Sequence, residues 1–203
     1  FSANDHIALT SSGTTALEVA LANLPLAAQS KVLVPAFTYP ASALAIIRAG
    51  HIPVFADVDA NSWLLTSELA YFCCQQQDID CVMPVCAFGV PVANQQWQDF
   101  TQDTGIPVLI DAAPAIGNQS IATKLYYCFS LHATKSFGVG EGGMIVSKDD
   151  EFIAHCERYK GFGFENWLIT QTGCNAKLSE YHAAVGLAQL QRHALIRSRL
   201  QLL

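Results

Sequence analysis

Val108-Leu109-Ile110-Asp111-Ala112-Ala113 is an apolar run that ends in an acid, and it indicates a buried strand with a carboxylate at its carboxyl end. Similar short apolar runs recur along the chain and alternate with amphipathic stretches. The runs predicted to be buried strands are 32–34, 54–55, 81–85, 108–110, 127–131 and 144–146. The stretches predicted to be helices are 15–27, 41–49, 67–76, 93–104 and 151–159.

This alternation of strands and helices predicts an α/β fold with a mostly parallel central sheet and right-handed crossovers. In such sheets, ligands bind where the carboxyl ends of the strands meet. Asp111 lies just past the end of one predicted strand, and Lys135 lies a few residues past another. We therefore expect the chemistry of the protein at this edge of the sheet.

The last part of the chain is predicted to form a long helix that begins near Ser179. The side chains expected on its apolar face are Ala183, Ala184, Leu187 and Leu190. The glycine-rich and aromatic stretch 161–167 before this helix is predicted to be a loop. Because residues 188–203 continue as a helix without a stop signal, and no Met begins the chain, we expect a fragment or a chain without its natural ends.

The composition narrows the class of protein. The 203 residues are 51% hydrophobic and 14% charged, which suits a well-buried α/β core rather than a disordered chain. The net charge of −6 argues against nucleic acid as a partner, and no run of about 20 apolar residues predicts a membrane span. Seven cysteines with no Cys-x-x-Cys spacing indicate reduced thiols in the cytoplasm rather than a disulfide scaffold or a zinc site.

The stretch Ser12-Gly13-Thr14-Thr15 leads directly into a predicted helix. Free backbone N–H groups at the start of a helix, together with hydroxyl groups, bind anions such as phosphate. Ordinary capping of the helix by a serine or threonine would explain the same residues. The motif alone leaves both interpretations open.

Asp111 is a carboxylate that a buried strand would remove from water, so it requires a partner. A protonated pyridine nitrogen is a suitable partner, because the pairing keeps the ring cationic and able to accept electrons. Capping of a helix and metal binding are the alternatives. No histidine or acid lies nearby in sequence to complete a metal cluster, so the metal alternative is poor.

Lys135 follows Ser130-Leu131-His132-Ala133-Thr134 and precedes the glycine-rich run 137–143. Lysines are ordinarily solvated surface residues, but glycines allow a backbone to approach a ligand closely. An amine that forms a Schiff base, an acid for the pyridinium nitrogen and hydroxyls for the phosphate are the parts that hold pyridoxal phosphate (PLP). His132 is interpreted as a hydrogen-bonded buried histidine rather than as part of the site.

Three further side chains are candidates for the same site. Tyr39 follows a predicted strand and could stack on a flat cofactor ring, although packing in the core explains it equally well. Asn175 and Lys177 precede the late helix and could donate to an anion. Taken in isolation, a plain turn with a solvated lysine explains these two better.

Together these motifs resemble the DegT/DnrJ/StrS sugar aminotransferase family, a branch of the fold type I PLP enzymes. The matching segments are 12–17, 34–39, 53–59, 111–113, 128–135, 140–143 and 173–190, in order along nearly the whole chain. The resemblance implies that residues 1–203 form a PLP-binding large domain with three layers, αβα. It also implies that the small C-terminal domain of the family is absent or truncated.

The resemblance assigns roles to individual residues. Lys135 would be the Schiff-base lysine, and Asp111 would hold the pyridine nitrogen. The residues implied to contact the cofactor are Gly13, Thr14, Thr15, Tyr39, Asp111, Ser130, Lys135, Asn175 and Lys177. Among them Tyr39 would stack on the ring, and Asn175 or Lys177 would reach the phosphate held by a neighbouring subunit. A homodimer would therefore be needed for a complete site.

The activity implied is transfer of an amino group from an amino acid, glutamate by resemblance, to a keto sugar carried on a nucleotide. A lysine at position 135 favours transamination over the dehydration catalysed by a branch that has histidine there. Pro114 stands where the family often has Gln or His against the ring hydroxyl of the cofactor, and the segment 117–130 is short. The alternatives are another fold type I enzyme acting on amino acids, a non-catalytic regulatory homologue, and a thiol or metal protein.

Overall fold

The computed structural model describes residues 1–200 of the chain. The strands in this part are β1 (His6–Thr10), β2 (Lys31–Pro35), β3 (Ile52–Ala56), β4 (Cys81–Val82), β5 (Leu109–Asp111), β6 (Tyr126–Ser130), β7 (Gly143–Ser147), β8 (Phe164–Glu165) and β9 (Leu168–Ile169). The helices are α1 (Gly13–Asn23), α2 (Pro40–Arg48), α3 (Ser67–Gln76), α4 (Asn94–Thr104), α5 (Asp150–Lys160) and α6 (Glu180–Leu200). The predicted continuation of the last helix to residue 203 falls outside the described residues.

The central sheet has the strand order β1-β7-β6-β5-β4-β2-β3. Its two halves, β1-β7-β6-β5 and β3-β2-β4, are joined by single parallel bridges from Val82 to Val108 and from Val85 to Asp111. Only β7 runs antiparallel to its neighbours, because the chain between β6 and β7 is a loop without a crossover helix. The predicted mostly parallel sheet is confirmed, and that loop carries Lys135.

Helices cover both faces of the sheet, as predicted for three layers. In β5, the side chain of Ile110 packs into the core that contains Trp97 and Phe100 of α4. The side chain of Leu109 packs into the opposite core, which contains residues of α1, α2 and α5. Burial on both faces explains why the strands appear in the sequence as continuous apolar runs.

The helices predicted from sequence all form; α3 has its predicted bounds, and the others have shifted ends. Helix α1 ends at Asn23 rather than at residue 27, because Leu24 precedes Pro25 and adopts an extended conformation. The stretch 161–167 predicted to be a loop contains strand β8, which pairs with β9 in a small hairpin.

The apolar face predicted for α6 is largely exposed. Leu187 and Leu190 are 68% and 60% exposed, and an apolar groove of about 950 Å³ runs between α6 and the sheet. Among residues 1–200, no helix has the length and apolar character that a membrane crossing requires.

We expect Gly143→Ala to lower the free energy of unfolding by about 1–3 kcal/mol. Gly143 begins β7 directly against the backbone of Ser12, and a Cβ atom placed there would overlap the Ser12 carbonyl group. Urea unfolding followed by circular dichroism measures the loss. Gly161→Ala is the control, because its Cβ would meet no atom closer than 3.4 Å. Equal losses in the two variants would contradict this packing argument.

Candidate active site

Asp111 is the buried acid of the site. It ends β5 and is only 4% exposed. Because side chains alternate along a strand, its carboxylate points to the same face as Leu109, toward α2. There the Ser42 hydroxyl donates to Oδ2 at 2.7 Å, and the Ala113 N–H donates to Oδ1 at 3.1 Å.

Burial raises the pKa of the Asp111 carboxyl group. The hydrogen bonds from Ser42 and Ala113 and the positive charge of Lys135 each act in the opposite direction, but the net shift remains upward. The folded chain therefore holds an acid whose ionised form is not fully compensated by its neighbours. A cation placed against this carboxylate would supply the missing compensation.

Ser42 is a site residue that the sequence analysis missed. It is fully buried in α2, and its hydroxyl lies 2.8 Å from Thr38 Oγ1 as well as bonding Asp111. A serine at a buried position of an otherwise apolar helix was the available signal, since buried hydroxyls require partners. The sequence did not indicate that the partner would be 69 residues away.

Lys135 lies in a loop that closes on itself between β6 and β7. The Lys135 N–H donates to the His132 carbonyl at 2.9 Å, and the Ala133 N–H donates to the Gly140 carbonyl at 2.8 Å. Gly138 packs on the backbone of Ala133, where a Cβ atom would come within 2.9 Å. The lysine side chain is half-buried and close enough to lower the pKa of Asp111. The sheet edge thus brings together the amine and the acid.

The start of α1 packs directly on the end of β6. A Cβ atom on Gly13 would lie 2.8 Å from Ser130 Cβ, so only glycine allows this approach. Ser12 caps the helix, since its Oγ accepts from the Thr15 N–H at 3.0 Å and its carbonyl accepts from the Ala16 N–H at 3.0 Å. The capping interpretation is therefore correct for Ser12.

Capping by Ser12 uses two of the first N–H groups of α1. Within the described chain, the N–H groups of Gly13 and Thr14 have no acceptor and remain for an anion. Thr15 Oγ1 lies 2.8 Å from Ser12 Oγ and therefore stabilises the cap. Ser130 Oγ accepts from the His132 N–H at 3.2 Å, which leaves its own proton free to be donated. These groups are available to donate to an anion at the carboxyl end of β6.

Tyr39 lies at the residue before α2 and is 79% exposed. Its carbonyl accepts from the Ser42 N–H at 3.2 Å, so it begins the same turn that supplies the partner of Asp111. The alternative that Tyr39 packs in the core is wrong. Its aromatic face is accessible to a ligand at this end of the sheet.

Asn175 and Lys177 lie beside the start of α1, where the carbonyl of the intervening Ala176 accepts from the Ser11 N–H at 2.9 Å. Both side chains are exposed and bond to each other, with Lys177 Nζ 2.6 Å from Asn175 Oδ1. Lys177 Nζ also lies 4.5 Å from the centre of the Phe162 ring. Their contact with the cofactor of a neighbouring subunit stays a prediction.

The interpretation of His132 as a buried histidine is wrong. Its side chain is 43% exposed, because it lies on the outward loop after β6 rather than in the strand. Nδ1 is 2.8 Å from Thr134 Oγ1, and Nε2 is 3.5 Å from Glu141 Oε1. The ring is hydrogen-bonded as expected, but to the loop surface.

The short segment before β6 is anchored by Gln119, which is buried. Its Oε1 accepts from the Val92 N–H at 2.8 Å, and its Nε2 donates to Asn94 Oδ1 at 2.7 Å. At the start of this region, the Pro114 carbonyl packs on Gly89, where a Cβ atom would come within 3.0 Å. The shortened segment is thus tied to the start of α4.

The cysteines give little support to a thiol or metal protein. All seven are unpaired, and burial raises the pKa values of Cys81 and Cys86 to about 12. Such thiols stay protonated at neutral pH and are poor nucleophiles. Within residues 1–200, no three His, Cys, Asp or Glu side chains group closely enough to hold a metal ion.

The family model for DegT/DnrJ/EryC1/StrS aminotransferases matches residues 1–202. The chain belongs to this family. The three-layer arrangement, with Asp111 and Lys135 at one edge of its central sheet, is thus the large-domain fold of these aminotransferases.

Individual relatives show how much of the family's length is present. GDP-perosamine synthase of Vibrio cholerae is 31% identical over 195 residues, which cover 92% of this chain and 53% of that enzyme. Protein Rv3402c of Mycobacterium tuberculosis is 34% identical over 200 residues, covering 91% of this chain and 48% of that protein. This chain therefore spans about half the length of the curated relatives it matches.

A solved Bacillus cereus structure, assigned as a PLP-dependent aminotransferase, superimposes with a TM-score of 0.87 and 30% identity. The match covers 96% of this chain and 56% of the Bacillus chain.

We expect Asp111→Asn to stabilise the cofactor-free protein at neutral pH. Because the folded pKa of Asp111 lies above the unfolded value, ionisation costs stability as the pH rises above about 4. The wild-type protein should lose stability relative to the variant between about pH 4 and neutrality, and the difference should vanish in more acidic solution. Urea unfolding at several pH values measures this, and a difference independent of pH would contradict the argument.

Proposed function

We propose that this chain contains the cofactor-binding part of a PLP-dependent aminotransferase that moves an amino group from an amino acid, with glutamate as the expected donor, to a nucleotide-linked keto sugar. The observation that carries the proposal is the meeting of Lys135 and the buried Asp111 at the sheet edge, beside the start of α1. PLP, when bound, supplies an electron sink that stabilises negative charge on the substrate carbon.

Three features of the described residues fit PLP. The Asp111 carboxylate lacks full compensation for its burial, and a protonated pyridine nitrogen would provide it. The glycine contact between Gly13 and Ser130 brings backbone N–H groups and a hydroxyl together, as a phosphate requires. Ser136 Oγ, next to Lys135, is buried with no hydrogen-bond partner among residues 1–200. An anionic or hydroxyl-bearing ligand would satisfy it.

The side chains of this chain would then act as follows. Lys135 Nζ would hold the cofactor covalently and, once released, move a proton to or from the substrate carbon. Asp111 would keep the ring nitrogen protonated, and Ser42 would fix the orientation of its carboxylate. The exposed ring of Tyr39 would cover one face of the cofactor and exclude water from it.

The proposed acceptor is supported by the family, and the proposed partner subunit is supported by exposed residues. One relative is called GDP-perosamine synthase, and this name contains a nucleotide-linked sugar. It supports an acceptor of that class here. The exposure of Asn175 and Lys177 beside α1 leaves them accessible to a second copy of the chain, in support of a shared site in a homodimer. Seven unpaired cysteines support a cytoplasmic location.

A non-catalytic regulatory homologue is the second candidate, and Pro114 favours it. Proline offers no side-chain donor to the ring hydroxyl, so one contact that tunes the cofactor would be missing. This candidate would bind PLP through the same residues without turning over an amino donor.

We expect Lys135→Ala to abolish covalent attachment of PLP. Wild-type protein incubated with PLP should show the visible absorbance of a lysine-bound cofactor, and borohydride should make the attachment permanent. In Lys135→Ala both signals should fall by at least about 100-fold, because the substitution removes the amine whose charge lowers the pKa of Asp111. Lys148→Ala removes an exposed lysine and serves as the control. Unchanged trapping in Lys135→Ala would refute the assignment of this lysine.

A second experiment separates the enzyme from the regulatory homologue. PLP-loaded wild-type protein is mixed with glutamate, and the loss of the lysine-bound absorbance is followed, then its return on addition of a nucleotide-linked keto sugar. The proposal predicts both changes. A cofactor signal that no amino acid alters would support the regulatory homologue, and a response to amino acids without any keto-sugar acceptor would support another fold type I enzyme.

A further inference from the structure

Helix α6 packs against the loop that carries Lys135, and one of the contacts is made by His182. A Cβ atom on Gly140 would lie 3.1 Å from His182 Cδ2 and 3.2 Å from His182 Nε2. Gly140 has φ +104°, a conformation that favours glycine, and its carbonyl accepts the Ala133 hydrogen bond that closes the loop. The imidazole thus lies against one of the residues that close the loop, which is also held by the Leu131 N–H bonding the Gly142 carbonyl and the Val139 N–H bonding the Leu131 carbonyl, each at 2.8 Å.

The orientation of the His182 ring is set by Ser179, the residue that precedes α6. Ser179 Oγ lies 3.0 Å from His182 Nδ1 and accepts from the His182 N–H at 3.2 Å. With Nδ1 held in this way, the opposite side of the ring, with Cδ2 and Nε2, faces Gly140. Ser179 therefore presents His182 to the loop in a single orientation.

Other contacts show that the loop and α6 pack together. A Cβ atom on Gly186 would lie 3.3 Å from Val139 Cγ1. The rings of Phe137 and His193 meet edge to face, with centroids 5.3 Å apart. The loop is held on its inner side by its own hydrogen bonds and on its outer side by α6. Among these contacts, that of His182 falls on Gly140, whose carbonyl accepts the Ala133 hydrogen bond.

We propose that His182 is a positioning residue for Lys135: its imidazole, seated on Gly140, holds the loop closed so that the lysine amine stays beside Asp111. The inference rests on the proposed role of Lys135 in holding PLP. His182 does not touch the reacting atoms; it acts through Gly140 and the Ala133 hydrogen bond. Removal of the ring would open space over Gly140 and allow the loop to shift away from the acid.

The test compares His182→Ala and His182→Gln with Tyr181→Ala, a neighbouring ring on α6 that is 87% exposed. The rate of PLP attachment to Lys135 is followed by absorbance and by borohydride trapping, and the unfolding midpoint is measured on the same samples. We expect His182→Ala to slow attachment about tenfold, because small displacements of a reacting group are costly. The Gln amide reaches the position of Nε2, so His182→Gln should recover most of the rate, and Tyr181→Ala should match wild type.

Three results would overturn the inference: attachment in His182→Ala as fast as in wild type, an equal slowing in Tyr181→Ala, or a slowing accompanied by a large fall in the unfolding midpoint that Gln does not restore. Alanine is a strong helix former and His182 is only partly buried, so the variant is expected to fold. Failure of the proposed function gives a different outcome, since wild-type protein would then show no trapping at all.

Discussion

A carboxylate buried at the end of the central strand is the constraint on which the site depends. Asp111 occupies a position at which the alternation of β5 directs its side chain between the sheet and α2. Burial makes its charge costly, and the fold offsets that cost only in part, through Ser42, Ala113 and the charge of Lys135. The remaining deficit costs the fold stability, and a cation placed against the carboxylate would offset it.

The same close approaches that hold the fold together also position the free N–H groups at the start of α1. The start of α1 lies against β6 through Gly13 and against β7 through the contact of Gly143 with Ser12. Any side chain at these two glycines would push the helix away from the strands. Free N–H groups of α1 would then no longer lie beside the hydroxyl of Ser130. Packing and the placement of these donor groups are therefore not separable at this end of the sheet, and a change that loosens the packing should displace the donors.

The sequence predicted the parts of the site that local pattern determines. Apolar runs with both faces buried locate the strands, and parallel strands place Asp111 and Lys135 at one edge. Local pattern could not reveal Ser42 as the partner of Asp111, because that bond depends on how α2 packs over β5. It also could not show that His132 lies outward, since the direction of a loop is set by the hydrogen bonds that close it, such as that from Ala133 to Gly140. The apolar face of α6 was identified correctly as a pattern, but pattern does not say what covers a helix.

Physical chemistry also bears on the choice between an enzyme and a regulatory homologue. A chain that bound no cationic ligand would be more stable with a neutral side chain at position 111, because Ser42, Ala113 and Lys135 compensate the buried charge only in part. Asp111 is thus an argument for a bound cationic ring under either candidate.

Pro114 does not weaken that argument, because its carbonyl packs on Gly89 and the turn after Asp111 is closed by the Ala115 N–H bonding the Ala112 carbonyl at 2.8 Å. What Pro114 removes is a possible donor to the ring hydroxyl, which affects the electronic properties of the cofactor rather than its retention. The difference between the candidates therefore lies in reactivity, and binding alone does not distinguish them.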